Sequence, residues 1–350
     1  MHTKFEPAHA YVAVDFFFCL SGFVIAYAYE NRLLSGMTLW DFSARRLIRL
    51  YPLILMGILL GYAALVSYQI IIRPPCCIVH RSVELDTLLL GPALVLIPLG
   101  LLFHLGAFPL NGPIWSLFFE VFANFLYAVE RRRIQLSERT SSVLLLAGAL
   151  VLMLILKHHG TMRSIGFGNG ILFVEGFARV FCPFLAGVLI FRMALFNHVV
   201  HLAAPLIAIF LLAVLFLPIA RTSWIYDSIA VIVICPLIVA LGAKPIEPLR
   251  FQSFWELSGR LSYPFYIVHV PVLLLFSIFY ARIGFLHNEP YLTAALGLVA
   301  AGAVAYVAVK FYDEPTRAWL SSRYQSRLSR VSISNRTIEN NLPFGSGEAR

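Results

Sequence analysis

The chain has 350 residues, of which 60% are apolar and only 13% are charged, and its mean hydropathy is +0.82. An average soluble protein is about 45–50% apolar, and a soluble globule cannot hide this much more apolar surface from water. A disordered chain is polar and rich in charge, which excludes that class too. The composition therefore predicts an all-α, polytopic helical membrane protein, with the lipid bilayer as its surroundings.

The net charge of +9 fits the excess of Lys and Arg that cytoplasmic loops of membrane proteins carry. The sequence lacks the basic surface interleaved with aromatic residues that nucleic-acid modules show, so we expect no nucleic-acid partner. The five cysteines show neither a metal-ligand spacing nor a disulfide framework, so we expect no metal site.

Nine apolar segments are long enough for membrane helices, which need about 20 mostly apolar residues. These segments are 11–29, 51–72, 113–130, 141–157, 174–194, 202–219, 225–243, 262–281 and 291–311.

A tenth apolar run, 87–104, contains Pro92 and Pro98, and we expect it to be re-entrant or packed among helices rather than crossing. With this arrangement, 19 of the 27 Lys and Arg residues fall on one side of the membrane, which marks that side as cytoplasmic. The C-terminus is then cytoplasmic. We predict a membrane domain over 1–320 and a polar, disordered cytoplasmic tail over 321–350.

Four ionisable side chains fall inside predicted spans, where a charge is costly and marks a functional candidate. They are Asp15, Glu120, Arg179 and His269. Pairs of such residues also join helices structurally. Because the four lie on four different helices, they favour a shared polar cavity, which a transporter would show as readily as an enzyme.

Three arginines lie close to the predicted cytoplasmic edge, in the segment FSARRLIRLYP. Arg45 and Arg49 are four residues apart and so share a helix face. Arginine side chains can hold phosphate oxygens with two parallel hydrogen bonds. The alternative is plain anchoring at the cytoplasmic face or contact with anionic lipid.

Six segments, taken together and in order, resemble the integral-membrane acyltransferase family 3, whose members are O-acyltransferases that modify bacterial surface polysaccharides and other acceptors. The segments are YVAVDFFFCLSGFVIA (11–26), FSARRLIRLYP (42–52), NGPIWSLFFEVFANFLYA (111–128), GFARVFCPFLAGVLIFR (176–192), LSGRLSYPFYIVHVPV (257–272) and FYDEPTRAWL (311–320). The resemblance covers about residues 10–320.

The resemblance implies a ten-helix protein of the bacterial cytoplasmic membrane. Such a protein takes an acyl group, expected to be acetyl, from cytosolic acyl-CoA and transfers it to a hydroxyl of a carbohydrate or lipid-linked sugar. It also implies roles for matched residues. The segment with Arg45 and Arg49 would face the donor, and Trp115, Ser116 and Glu120 match a Trp-Ser-x-x-x-Glu element. His269 matches a late Tyr-x-x-His element.

The family's first span, which carries an Arg and then a catalytic His, has no counterpart before Asp15. Because His2 lies 13 residues before Asp15, near where the family His falls, we expect the sequence to continue upstream of Met1 and His2 to be the catalytic His. The rival reading takes His2 as a residue of no consequence, and His9 is a weaker candidate.

Acyl transfer from a thioester to a hydroxyl needs a base, a carboxylate that orients it and donors for the oxyanion. We assign His2 as the base and Asp15 or Glu120 as the orienting group. Arg45 and Arg49 would bind the acyl-CoA phosphates, and the remaining predicted site residues would line the cavity: Trp115, Ser116, Arg179 and His269. The alternative function is a transporter or a catalytically degenerate acyltransferase-like protein.

Overall fold

A computed structural model describes residues 9–72, 82–168, 170–217, 224–244, 252–280 and 289–341. Within these ranges the chain is helical and contains no β-strand, which confirms the all-α prediction. The helices are α1 Val12–Leu34, α2 Leu39–Ile72, α3 Val83–Leu94, α4 Ile114–Val129, α5 Glu138–His159, α6 Ile171–Arg192, α7 Ala204–Phe216, α8 Trp224–Ile229, α9 Cys235–Gly242, α10 Gln252–Tyr280, α11 Pro290–Ala308 and α12 Glu314–Asn341.

Seven helices of the described chain are long and apolar enough to cross a membrane: α1, α2, α5, α6, α8 with α9, α10, and α11 with α12. Wide π-helical turns at Ala230–Ile234 and Val309–Asp313 join the last two pairs into continuous rods. The predicted count of nine spans is therefore not confirmed. The other two segments are helices as well: α4 has 16 residues and continues into a π-helical turn at Glu130–Ile134 that carries three arginines, and α7 has 13 residues.

The run 87–104 does not form one helix. The α3 helix ends at Leu94, and a short 3₁₀ turn follows at Leu99–Phe103. Leu96 and His104 both adopt a positive φ, which breaks the helix on either side of that turn. Because twelve helical residues span about 18 Å, α3 cannot cross the hydrocarbon core alone, as the sequence prediction of a non-crossing segment requires.

The region predicted to be a disordered tail is helical up to Asn341, because α12 continues from α11 without a break. Its first turns pack on α2, where the Arg45 guanidinium lies 6.0 Å from the centre of the Tyr324 ring. Residues 342–350 lie outside the described residues, and the division into two domains stays a prediction.

A cluster of charges ties three helix ends together at one end of the bundle. Glu30 on α1 accepts a hydrogen bond from Arg192 on α6 at 3.0 Å and another from the Tyr127 hydroxyl, and it forms an ion pair with Arg131 after α4 at 2.6 Å. Arg192 pairs in addition with Glu130 at 2.7 Å. The arginine-rich ends of α1, α4 and α6 therefore lie on the same side, as the charge count predicted.

The α1 and α6 helices pack most closely of all. A Cβ atom added at Gly22 would collide with the backbone carbonyl of Phe184, and one at Gly187 would collide with that of Cys19. Small residues are what permits such close approach of two membrane helices. The α4 helix packs against both members of this close pair.

Candidate active site

A polar cavity of about 690 Å³ opens between α1, α2, α4, α10 and the junction of α11 with α12. Four arginines line it, and we call it the arginine cavity: Arg46, Arg49, Arg260 and Arg317. Three carboxylates also line it: Glu120, Glu256 and Asp313. Since cations outnumber carboxylates and several lie close to one another, the cavity suits an anionic ligand.

Glu120 lies at the inner end of the arginine cavity, in the middle of α4, and is only 4% exposed. Its Oε1 accepts a hydrogen bond from Ser21 Oγ on α1 at 3.0 Å. The Arg46 guanidinium of α2 approaches the same oxygen, with Nη2 at 3.4 Å. Both contacts are to the same carboxylate oxygen of Glu120, Oε1.

Two arginines of this cavity keep donors that no described protein group uses. Arg317 pairs with Asp313 at 2.7 Å, and Arg260 lies 4.0 Å from Glu314. The Nε atoms of Arg46 and Arg317 are buried, and neither has a hydrogen-bond partner in the part of the chain that the structure describes. Buried donors without partners are rare and costly, which is a reason to expect a ligand there.

The structure separates the two arginines that the sequence paired. Arg49 lines the arginine cavity. Arg45 instead pairs with Asp41 at 3.0 Å, one turn earlier on α2, and faces Tyr324 of α12. Arg46, the residue next to Arg45, lies beside Glu120 instead and lines the arginine cavity together with Arg49.

Asp15 and Arg179 form a buried pair away from the arginine cavity. Arg179 donates from Nε to Oδ1 at 2.9 Å and from Nη2 to Oδ2 at 2.8 Å. Its other N–H groups donate to three backbone carbonyls, and the Trp115 ring lies 5.0 Å from the guanidinium carbon. Arg179 thus has its donors satisfied by protein, which suits a positioning role.

Ser116 and His269 both contact Tyr266 of α10. The Ser116 hydroxyl is 2.8 Å from the Tyr266 hydroxyl, which joins α4 to α10. His269 donates from Nδ1 to the Tyr266 carbonyl at 2.7 Å and stacks on the Phe265 ring. Trp115, Ser116 and Glu120 therefore follow one another along α4, from the Asp15–Arg179 pair to the arginine cavity.

His2 lies outside the described residues. His9, the weaker histidine candidate, is 1% exposed, with Nδ1 2.9 Å from the Tyr11 hydroxyl and 3.3 Å from Asp227 Oδ1. Asp227 also accepts from the Tyr11 hydroxyl and from the Met162 backbone N–H. The Nε2 atom of His9 has no hydrogen-bond partner within the described ranges.

Comparison with known proteins gives the family of the chain. The sequence pattern of a family described as an acyltransferase domain matches residues 2–310, most of the chain. The chain belongs to this acyltransferase family. A relative named "Protein 2 in picA locus", from Rhizobium radiobacter, is 36% identical over 155 residues, which are 43% of this chain and 80% of the relative. No solved structure matches the chain.

The arginine cavity contains residues that the sequence analysis did not select, although they lie in the segments that carry the resemblance. Arg46 lies in FSARRLIRLYP, Arg260 in LSGRLSYPF and Arg317 in FYDEPTRAW. Ser21 was missed because a hydroxyl in an apolar run gives no charge signal, whereas Tyr266 is the tyrosine of the Tyr-x-x-His element from which only His269 was predicted as a site residue. Each of these segments contributes at least one side chain to the arginine cavity or to the Ser116–Tyr266 contact.

Proposed function

We propose that this membrane acyltransferase takes an acyl group, acetyl in the simplest case, from cytosolic acyl-CoA and transfers it to a hydroxyl of a carbohydrate or lipid-linked sugar. It would do so in the bacterial cytoplasmic membrane, with its C-terminus in the cytoplasm. The observation that carries the proposal is the arginine cavity, in which four arginines lead inward to Glu120.

The arginine cavity suits the donor for two reasons. Its volume of about 690 Å³ lies within the roughly 300–1,000 Å³ typical of small-molecule sites. Coenzyme A carries phosphate groups on its nucleotide and amide groups along its pantetheine arm. Arginine binds phosphate with charge-assisted hydrogen bonds. The unused Nε donor of Arg317 would bind a phosphate or carbonyl oxygen of the donor.

The chemistry follows from the thioester. The acceptor oxygen attacks the carbonyl carbon, the C–O bond forms, and the C–S bond breaks as the thiolate of coenzyme A leaves. A base takes the hydroxyl proton and returns it to the thiolate, and His2 is our candidate for it. Of the two candidate orienting carboxylates, Glu120 is the one that lines the cavity, whereas both oxygens of Asp15 accept from Arg179. The other predicted lining residues, Trp115, Ser116, Arg179 and His269, would shape the inner end.

The test is transfer of labelled acetyl from acetyl-CoA by the full chain in proteoliposomes with bacterial surface polysaccharide as acceptor. We expect Glu120→Gln to lose most transfer while the protein stays folded, because the amide keeps the shape but loses the charge. The matched control is Glu138→Gln, an exposed carboxylate at the start of α5. Equal transfer by Glu120→Gln and Glu138→Gln would contradict the proposal.

A further inference from the structure

A second cavity of about 480 Å³ lies on the other side of Arg46, between α2, α4 and the turn after α3. We call it the apolar cavity, because most of its walls are apolar side chains, including Tyr51, Leu96, Phe118, Val121 and Phe122. Other wall residues are exposed at the surface of the bundle: Leu47, Val95 and Phe125. Because α2 is long and apolar enough to cross a membrane, we place this apolar rim where it can meet lipid.

Asn124 is one of the few polar residues in the wall of the apolar cavity, together with Ser43 and Arg46. It lies one helical turn from Glu120 on α4 and is 1% exposed. Neither the Nδ2 nor the Oδ1 atom of its amide has a hydrogen-bond partner among the described residues. A buried amide without hydrogen bonds costs free energy, and within a membrane there is no water to form those hydrogen bonds. A ligand that supplies both an acceptor and a donor would remove that cost.

Arg46 adds a charge at the same place. It lines both cavities, and its Nη2 is directed at Glu120, 3.4 Å away. Its Nε is buried and unused by the described residues. The Nε of Arg46 and the Nδ2 of Asn124 both call for oxygen acceptors, whereas Oδ1 of Asn124 calls for a hydroxyl or an N–H.

We propose that the apolar cavity binds one lipid molecule of the bilayer. Its aliphatic chain occupies the cavity, and its oxygen-rich, hydroxyl-bearing head group pairs with Asn124 and Arg46. The rim argues for a lipid, because exposed apolar side chains at the mouth of a cavity in a membrane protein favour an aliphatic chain over a polar, water-soluble ligand. This binding is independent of acyl transfer and would hold in a protein that has no donor bound.

The experiment uses the full chain in phosphatidylcholine vesicles that contain a small fraction of phosphatidylglycerol with a photoreactive diazirine in its acyl chain. Phosphatidylglycerol supplies phosphate oxygens and hydroxyls on one head group. After illumination, the labelled peptides are mapped. We expect label on Phe118 and Val121, inside the cavity, in competition with unlabelled phosphatidylglycerol. Label spread evenly over all membrane-facing helices, with no competition, would overturn the proposal.

Two variants and a control sharpen the result. Asn124→Leu removes the amide, and Val121→Trp fills the cavity, so we expect each to lower the cavity label about tenfold, as loss of one strong interaction implies. Leu146→Trp, on the exposed face of α5, is the matched control and should leave that label unchanged. If Asn124→Leu raises the melting temperature and leaves the label unchanged, the amide is merely an unsatisfied core residue and the proposal is wrong.

Discussion

Arg179 donates to both carboxylate oxygens of Asp15 in a site where neither side chain is more than 1% exposed. The contact joins α6 to the first turn of α1. The other N–H groups of Arg179 donate to the backbone carbonyls of Tyr11, Met162 and Ile165. The Arg179 side chain therefore holds the start of α1 and the loop before α6 in place.

The first prediction concerns this buried pair. Asp15→Asn removes the charge that neutralises Arg179, and breaking a buried ion pair on one side costs about 3–5 kcal/mol. We expect a clear drop in unfolding temperature in detergent. Arg179→Met should lose at least as much, because three carbonyls lose their donor as well. The double variant should lose less than the sum of the two, and strict additivity would show that the two residues are not coupled.

The second prediction concerns the contact between α1 and α6. Gly22→Ala and Gly187→Ala each force a methyl group into a backbone carbonyl of the opposite helix. Overpacking of this kind costs about 1–3 kcal/mol, and we expect it to lower the unfolding temperature. The control is Gly148→Ala on α5, where an added methyl meets no described residue within 4 Å. That variant should gain up to about 1 kcal/mol from helix propensity. The same loss in all three variants would contradict close packing as the cause.

The third prediction separates the arginines. Arg49→Ala should raise the KM for acetyl-CoA about tenfold or more, because a charge-assisted hydrogen bond contributes about 1.5–3 kcal/mol to binding. Arg133→Ala removes a similar charge from an exposed position after α4 that lies outside both cavities. The KM of the Arg133→Ala variant for acetyl-CoA should stay unchanged. Initial rates over a range of acetyl-CoA concentrations give both values, and equal KM values would remove Arg49 from the donor site.

Much of the fold could be predicted from the sequence, because apolar length reports directly on helices in a bilayer. Each of the nine predicted segments contains a helix in the part of the chain that the structure describes, including those of α4 and α7, which are not among the seven candidate spans. Helix length was the weak point. Pro113 precedes the start of α4, the backbone leaves the helical conformation at Leu217 after α7, and hydropathy averages over such breaks. The helical continuation to Asn341 was missed because its Ser-rich sequence carries no apolar signal.

The candidate site was harder to predict. Spacing alone placed Arg45 and Arg49 on one face, but Arg45 has Asp41 one turn away and pairs with it locally. Arg46 turns inward because Glu120 lies opposite, on a helix far away in the sequence. Arg260 and Arg317 reach the same cavity from α10 and α12, and no local pattern could show that convergence. The placement of arginines depends on partners that the fold alone brings together.

The last prediction tests the assignment of the base. His2→Ala should lower kcat about 10²–10⁴-fold, the usual contribution of a general base, and leave the KM for acetyl-CoA nearly unchanged. His9→Ala removes a buried ring beside Tyr11 and Asp227 and should lower the unfolding temperature while some turnover remains. Rates and melting curves of the two variants decide between them. If His9→Ala abolishes turnover without loss of stability and His2→Ala does not, the base is His9, and Asp227 is the carboxylate that orients it.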